Sequence, residues 1–160
     1  FGHFLIKQVA TDLKREMPGL ERFVTLSPIP GLMNWLRNED PGLAEQLEGN
    51  IELHRDRMLR SALRYFLEVK NGEGRPIDPV ARFHLGNGAR LEQLNWMGEC
   101  SEKGLRQSAG IMVNYLYDLP AIEELHEQFA NRGAIATGRP VRQLISSLKA
   151  GDTKLMERQG

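Results

Sequence analysis

The run GIMVNYLYD, residues 110–118, alternates with the two-residue period of an extended chain. Ile111, Val113, Tyr115 and Tyr117 fall on one face, and Met112, Asn114 and Leu116 on the other. Both faces carry apolar residues, so the strand belongs in the middle of a sheet rather than at its edge. Tyr115 and Tyr117 share a face, where core aromatics with hydroxyls at an edge are the default reading.

Two further strands are expected around this one. The turn formers GNG, 86–88, lead into a strand at about 90–97. RFVTL, 22–26, reads as a short buried strand and runs directly into SPIPG, 27–31. Helical spacing accounts for most of the remainder. Leu5, Val9 and Leu13 form a stripe in a first helix over 4–17 that Pro18 and Gly19 end. Pro30 and Gly31 open a second helix, and a long third one is expected over 51–69. Asp78 as N-cap with Pro79 at the first position begins one or two turns over 78–85. Further helices are expected over 120–131 and 140–149. The punctuated segment 38–50 reads as a loop with one helical turn, and 70–76 and 98–108 as loops. The result is an α/β arrangement, a mixed sheet flanked by helices over residues 1–150, followed by a polar, frayed tail at 151–160. Three strands are few for a sheet. The chain opens on FGHFLIKQVA without a methionine and reads as a fragment whose missing strands lie upstream of Phe1.

Bulk composition excludes several classes. Twenty-one basic residues balance twenty-one acidic ones, which argues against a nucleic-acid surface or an anionic membrane. No apolar run approaches the ~20 residues of a membrane span. The single cysteine, Cys100, rules out an internal disulfide framework and suits a reducing, cytoplasmic compartment. His3, His54, His84, His126 and Cys100 show no zinc-ligand spacing, so no metal is expected.

Ser27 has two readings. It caps a helix beginning near Pro28, or the two prolines hold its hydroxyl at a strand end, where open α/β sheets bind ligands. His84, just before the GNG turn, is either a structural histidine or an acid/base group held over a site. His54 and His126 lie among charges and read as solvated. Gly2, His3, Phe4 and Leu5 open a helix, and a helix N-terminus offers free N–H groups to phosphates. There is no glycine-rich phosphate or dinucleotide fingerprint.

Taken together, FLIKQV (4–9), LSPIPG (26–31), DPVARFHLGNGA (78–89), LNWM (94–97) and GIMVNYLYDL (110–119) resemble, in this order, the malonyl-CoA decarboxylases. The resemblance covers nearly the whole chain and is weakest over 38–76 and after Gly151. It implies the C-terminal part of a catalytic domain with a GNAT-like acyl-CoA-binding fold. It also implies a carboxy-lyase of fatty acid metabolism that converts malonyl-CoA to acetyl-CoA and carbon dioxide without a cofactor. Ser27 and His84 match the family's catalytic pair, and Tyr117 matches a tyrosine of its site. Coenzyme A would meet the first helix around Gly2 to Leu5. A family glutamate would fall before Phe1, so this stretch alone is expected to be inactive. A homo-oligomer of the intact protein is expected. The alternatives are a GNAT-type acyltransferase using the same cleft, recognised by an amine acceptor, and an inert CoA-binding or oligomerisation fragment.

Overall fold

The computed structural model describes the backbone of residues 2–159 and the side chains of residues 6–151. Along the chain lie α1 (Gly2–Glu16), β1 (Arg22–Ser27), α2 (Leu32–Glu39), α3 (Pro41–Gly49) and α4 (Arg55–Leu67). There follow α5 (Pro79–Gly86), β2 (Arg90–Asn95), α6 (Glu102–Ser108), β3 (Met112–Asp118), α7 (Ile122–Arg132) and α8 (Arg139–Gln159). A single 3-10 turn precedes α4 and another precedes α7.

The sheet has the order β1-β3-β2, with β3 in the middle as its two-faced pattern requires. Both pairings are antiparallel, and the parallel component is one isolated bridge between Leu91 and Thr137. Ile111, Val113, Tyr115 and Tyr117 are all fully buried, whereas Met112, Asn114 and Leu116 are half-buried. β1 departs from the expectation of a buried strand. Phe23, Thr25 and Ser27 turn inward, but Val24 and Leu26 are 58% and 59% exposed on the other face. The register pairs Phe23 with Tyr117, Thr25 with Tyr115 and Ser27 with Val113, so these side chains share one face.

Two expected loops are helices. Residues 38–50 hold α3, whose N-cap Asp40 accepts from the Leu43 amide at 3.0 Å, with Pro41 at the first position. Residues 98–108 hold α6, capped by Ser101 through the Gly104 amide at 3.0 Å. The long helix expected over 51–69 is a 3-10 turn followed by α4. α8 packs on β2 and α4, and α5 packs on β2, α1 and α7. That packing sets α5 over the inward face of the sheet, where the candidate site lies.

Candidate active site

Ser27 ends β1, and the next four residues fix its direction. A residue before proline is held extended, and Ser27 precedes Pro28 as Ile29 precedes Pro30. Ile29 is fully buried and anchors the segment in the core. The next helix is capped at Gly31, not at Ser27, and has no side-chain cap. The hydroxyl is therefore free for other partners. It lies 3.3 Å from Thr25 Oγ1 and 3.3 Å from His84 Nε2.

His84 reaches this point on α5. The Asp78 carboxylate caps that helix, accepting the Ala81 amide at 2.8 Å, with Pro79 at the first position as expected. The helix stops at Asn87, and Gly88 follows at φ +88°. A Cβ on Gly88 would come within 2.3 Å of the Ile122 carbonyl oxygen, so only glycine fits this close approach. The short turn directs the chain straight into β2.

Ser27, His84 and Tyr117 meet in one buried chain of hydrogen bonds. His84 Nδ1 lies 2.6 Å from the Tyr117 hydroxyl, and its Nε2 faces Ser27. The Tyr117 ring stacks on Phe23 at 4.8 Å, and the imidazole stacks on Tyr115 at 4.4 Å. Burial lowers the His84 pKa from 6.5 to about 4, so the imidazole is neutral near neutral pH. Burial also raises the Tyr117 pKa, and the phenol keeps its proton. A buried hydroxyl donor needs an acceptor, so we assign the Tyr117 O–H as donor to Nδ1. Nε2–H then donates to Ser27 Oγ, which leaves the serine proton for a further acceptor.

The expected neighbours Ser27, His84 and Tyr117 are thus brought together. The expected coenzyme contacts Gly2, His3, Phe4 and Leu5 lie outside the residues whose side chains are described. His126 is not simply solvated: its Nδ1 lies 2.6 Å from the Gly86 carbonyl oxygen, at the end of α5. Thr25 and Tyr115 were not expected at the site. The signal for Thr25 was present, since residues two apart on a strand share a face. Nothing local in the sequence announces that Tyr115 lies beneath His84. A cavity of about 240 Å³ opens beside Pro28, lined by Lys103, Ser108 and Met112 among others. A larger hollow of about 450 Å³ lies between α1 and the start of α7, and neither it nor the cavity beside Pro28 is lined by any of the three site residues. Among the described residues no group of His, Cys, Asp and Glu could hold a metal ion, and no helix is long and apolar enough to cross a membrane.

A serine, a neutral histidine and a tyrosine linked across one face of an antiparallel sheet make this an α/β protein with a candidate acid–base site. More narrowly, the chain belongs to the malonyl-CoA decarboxylase C-terminal domain family, whose model matches residues 1–51 and 37–155. It is 36% identical to the mitochondrial malonyl-CoA decarboxylase of Rattus norvegicus, in an alignment covering 74% of this chain and 32% of that protein. The crystal structure of malonyl-CoA decarboxylase from Rhodopseudomonas palustris superposes with a TM-score of 0.79 at 46% identity, covering 89% of this chain and 37% of that one. The corresponding structure from Agrobacterium vitis gives 0.74 at 45% identity, covering 90% and 40%. The chain spans about a third of the length of the curated relatives it matches. These relatives correct the cytoplasmic expectation. The rat, goose and mouse proteins are mitochondrial, and the compartment of this chain does not follow from its cysteine usage.

Proposed function

We propose that this chain carries the reacting groups of a malonyl-CoA decarboxylase, with Ser27, His84 and Tyr117 as its catalytic residues. The observation that supports this most strongly is the buried Ser27–His84–Tyr117 hydrogen-bond chain in a member of that family. Loss of carbon dioxide breaks the bond between the carboxylate carbon and C2 and leaves the electron pair on C2 and the thioester oxygen as an enolate. The Ser27 hydroxyl, backed by the Nε2–H of His84, donates to that oxygen as charge develops. One such donor is worth ~3–4 kcal/mol. C2 then takes the proton of Nε2, while Nδ1 takes the proton of Tyr117. The tyrosinate is reprotonated from solvent, so the cycle consumes one proton. The α-carbon of a thioester is a far weaker acid than a phenol, even one whose pKa burial has raised, so the relay runs downhill.

The sheet, with its central antiparallel strand, supports a GNAT-like acyl-CoA cleft, and Gly2 to Leu5 remain the proposed coenzyme contacts. Malonyl-CoA and acetyl-CoA as ligands, and a homo-oligomeric intact enzyme, rest on the family resemblance alone. The test is carbon dioxide release from malonyl-CoA by the full-length protein containing this sequence, with and without an amine acceptor. Release independent of the amine is expected. Acyl transfer to the amine without release of carbon dioxide would replace the reading with an acyltransferase.

A further inference from the structure

We infer that Tyr65 and Asp78 are positioning residues that hold Ser27 and His84 in register, an inference that rests on the catalytic reading of that pair. The proposed chemistry uses neither residue, yet both are almost wholly buried and bonded to each other. The Tyr65 hydroxyl, on α4, donates to Asp78 Oδ1 at 3.2 Å. The other carboxylate oxygen, Oδ2, accepts the Ala81 amide and starts the helix that carries His84. The same phenol touches the other arm of the site. A Cβ on Gly31 would lie 2.7 Å from the Tyr65 hydroxyl oxygen, so the backbone of the SPIPG turn rests against it.

One phenol therefore meets both arms, at Gly31, four residues after Ser27, and at Asp78, six residues before His84. Trp35 and Phe66 pack on its ring at 5.4 and 5.8 Å. A helix cap alone would not call for this arrangement, because an exposed serine or asparagine caps as well without burying an acid. The distance that the clasp controls is sensitive. Ser27 Oγ and His84 Nε2 stand 3.3 Å apart, near the outer limit of a hydrogen bond. A further slackening of ~1 Å between reacting groups costs on the order of a hundredfold in rate.

The experiment compares Tyr65→Phe, Gly31→Ala and their double variant in the full-length decarboxylase. Carbon dioxide release and the imidazole 15N resonances of His84 are the two readouts. Tyr65→Phe is expected to lower kcat by roughly tenfold or more, with KM within about twofold, and to shift the His84 resonances. Gly31→Ala is expected to do the same by driving its methyl group into the hydroxyl. Because Phe removes that hydroxyl, the double variant should be no worse than Tyr65→Phe alone. Leu148→Ala, a core truncation on α8, which carries no clasp residue, should lower stability and leave kcat within about twofold. Wild-type kcat and unshifted His84 resonances in Tyr65→Phe would overturn the inference. So would additive losses in the double variant, or an equal loss of kcat in Leu148→Ala. If His84→Ala keeps full activity, the catalytic reading fails instead, and the resonance shift still decides whether the clasp exists.

Discussion

His84 is held neutral at a price in acid stability, and the direction of that effect can be worked out from its surroundings. Its pKa is 6.5 when exposed and about 4 in the fold. Above 6.5 both states are neutral. As pH falls below 6.5 the unfolded chain takes up a proton that the native imidazole refuses, until about pH 4. Folding stability contributed by this group is therefore lost over that window, by about 3 kcal/mol at most. His84→Gln should flatten the loss, read by urea denaturation at a series of pH values between these limits. An unchanged slope would show that the imidazole is not buried neutral. Asp78 acts in the opposite sense, since burial raises its pKa and its contribution is lost as pH rises, so the comparison with His84→Gln is what isolates the histidine. At Ser27 the proposed mechanism makes the hydroxyl the functional atom. Ser27→Ala should lower kcat by ~10²–10³ and leave the melting temperature within a degree or two, measured by carbon dioxide release and calorimetry.

Strands and turns near the site were legible because their signals are local. The alternation through residues 111–117 placed β3 in the centre, and Asp78-Pro79 announced α5. The same dipeptide at Asp40-Pro41 opens α3 with the same capping geometry, yet its surroundings, rich in glycine and charge, read as a loop. α6 is seven residues long, too short for an apolar stripe to develop, and only its Ser101 cap speaks for it. Exposure of Val24 and Leu26 could not be read at all, because it depends on what stands opposite β1. Nor could the approach of Tyr65 to Gly31, which joins residues far apart in sequence. The SPIPG turn and the turn after α5 are both stiff, but for different reasons. Pro28→Ala should cost the fold only about 0.4–1 kcal/mol, because alanine restrains the unfolded chain less than proline does. Gly88→Ala combines a positive φ with a backbone clash at Ile122 and should cost more, about 1–3 kcal/mol. Denaturation midpoints of the two variants check the order, and a larger loss at Pro28 would contradict it.

Across the molecule, the site face of the sheet is closed by α5 while β1 pairs on one side only among the described residues. Its outer edge, with Val24 and Leu26 exposed beside it, is the kind of strand edge that recruits another chain. The 160-residue chain in isolation should therefore self-associate, and replacing Val24 and Leu26 by lysine should reduce the association seen by static light scattering. The central claim of the proposed mechanism is narrower than this surface: the proton reaches the substrate carbon from His84 Nε2, resupplied by Tyr117 at Nδ1, while Ser27 holds the enolate oxygen. Tyr117→Phe keeps the ring stacked on Phe23 and removes only the hydroxyl that feeds Nδ1. The measurement is the steady-state rate of carbon dioxide release from malonyl-CoA by the full-length Tyr117→Phe variant. A fall in kcat of ~10²-fold or more with KM nearly unchanged is predicted, and a kcat within about twofold of wild type would contradict the relay.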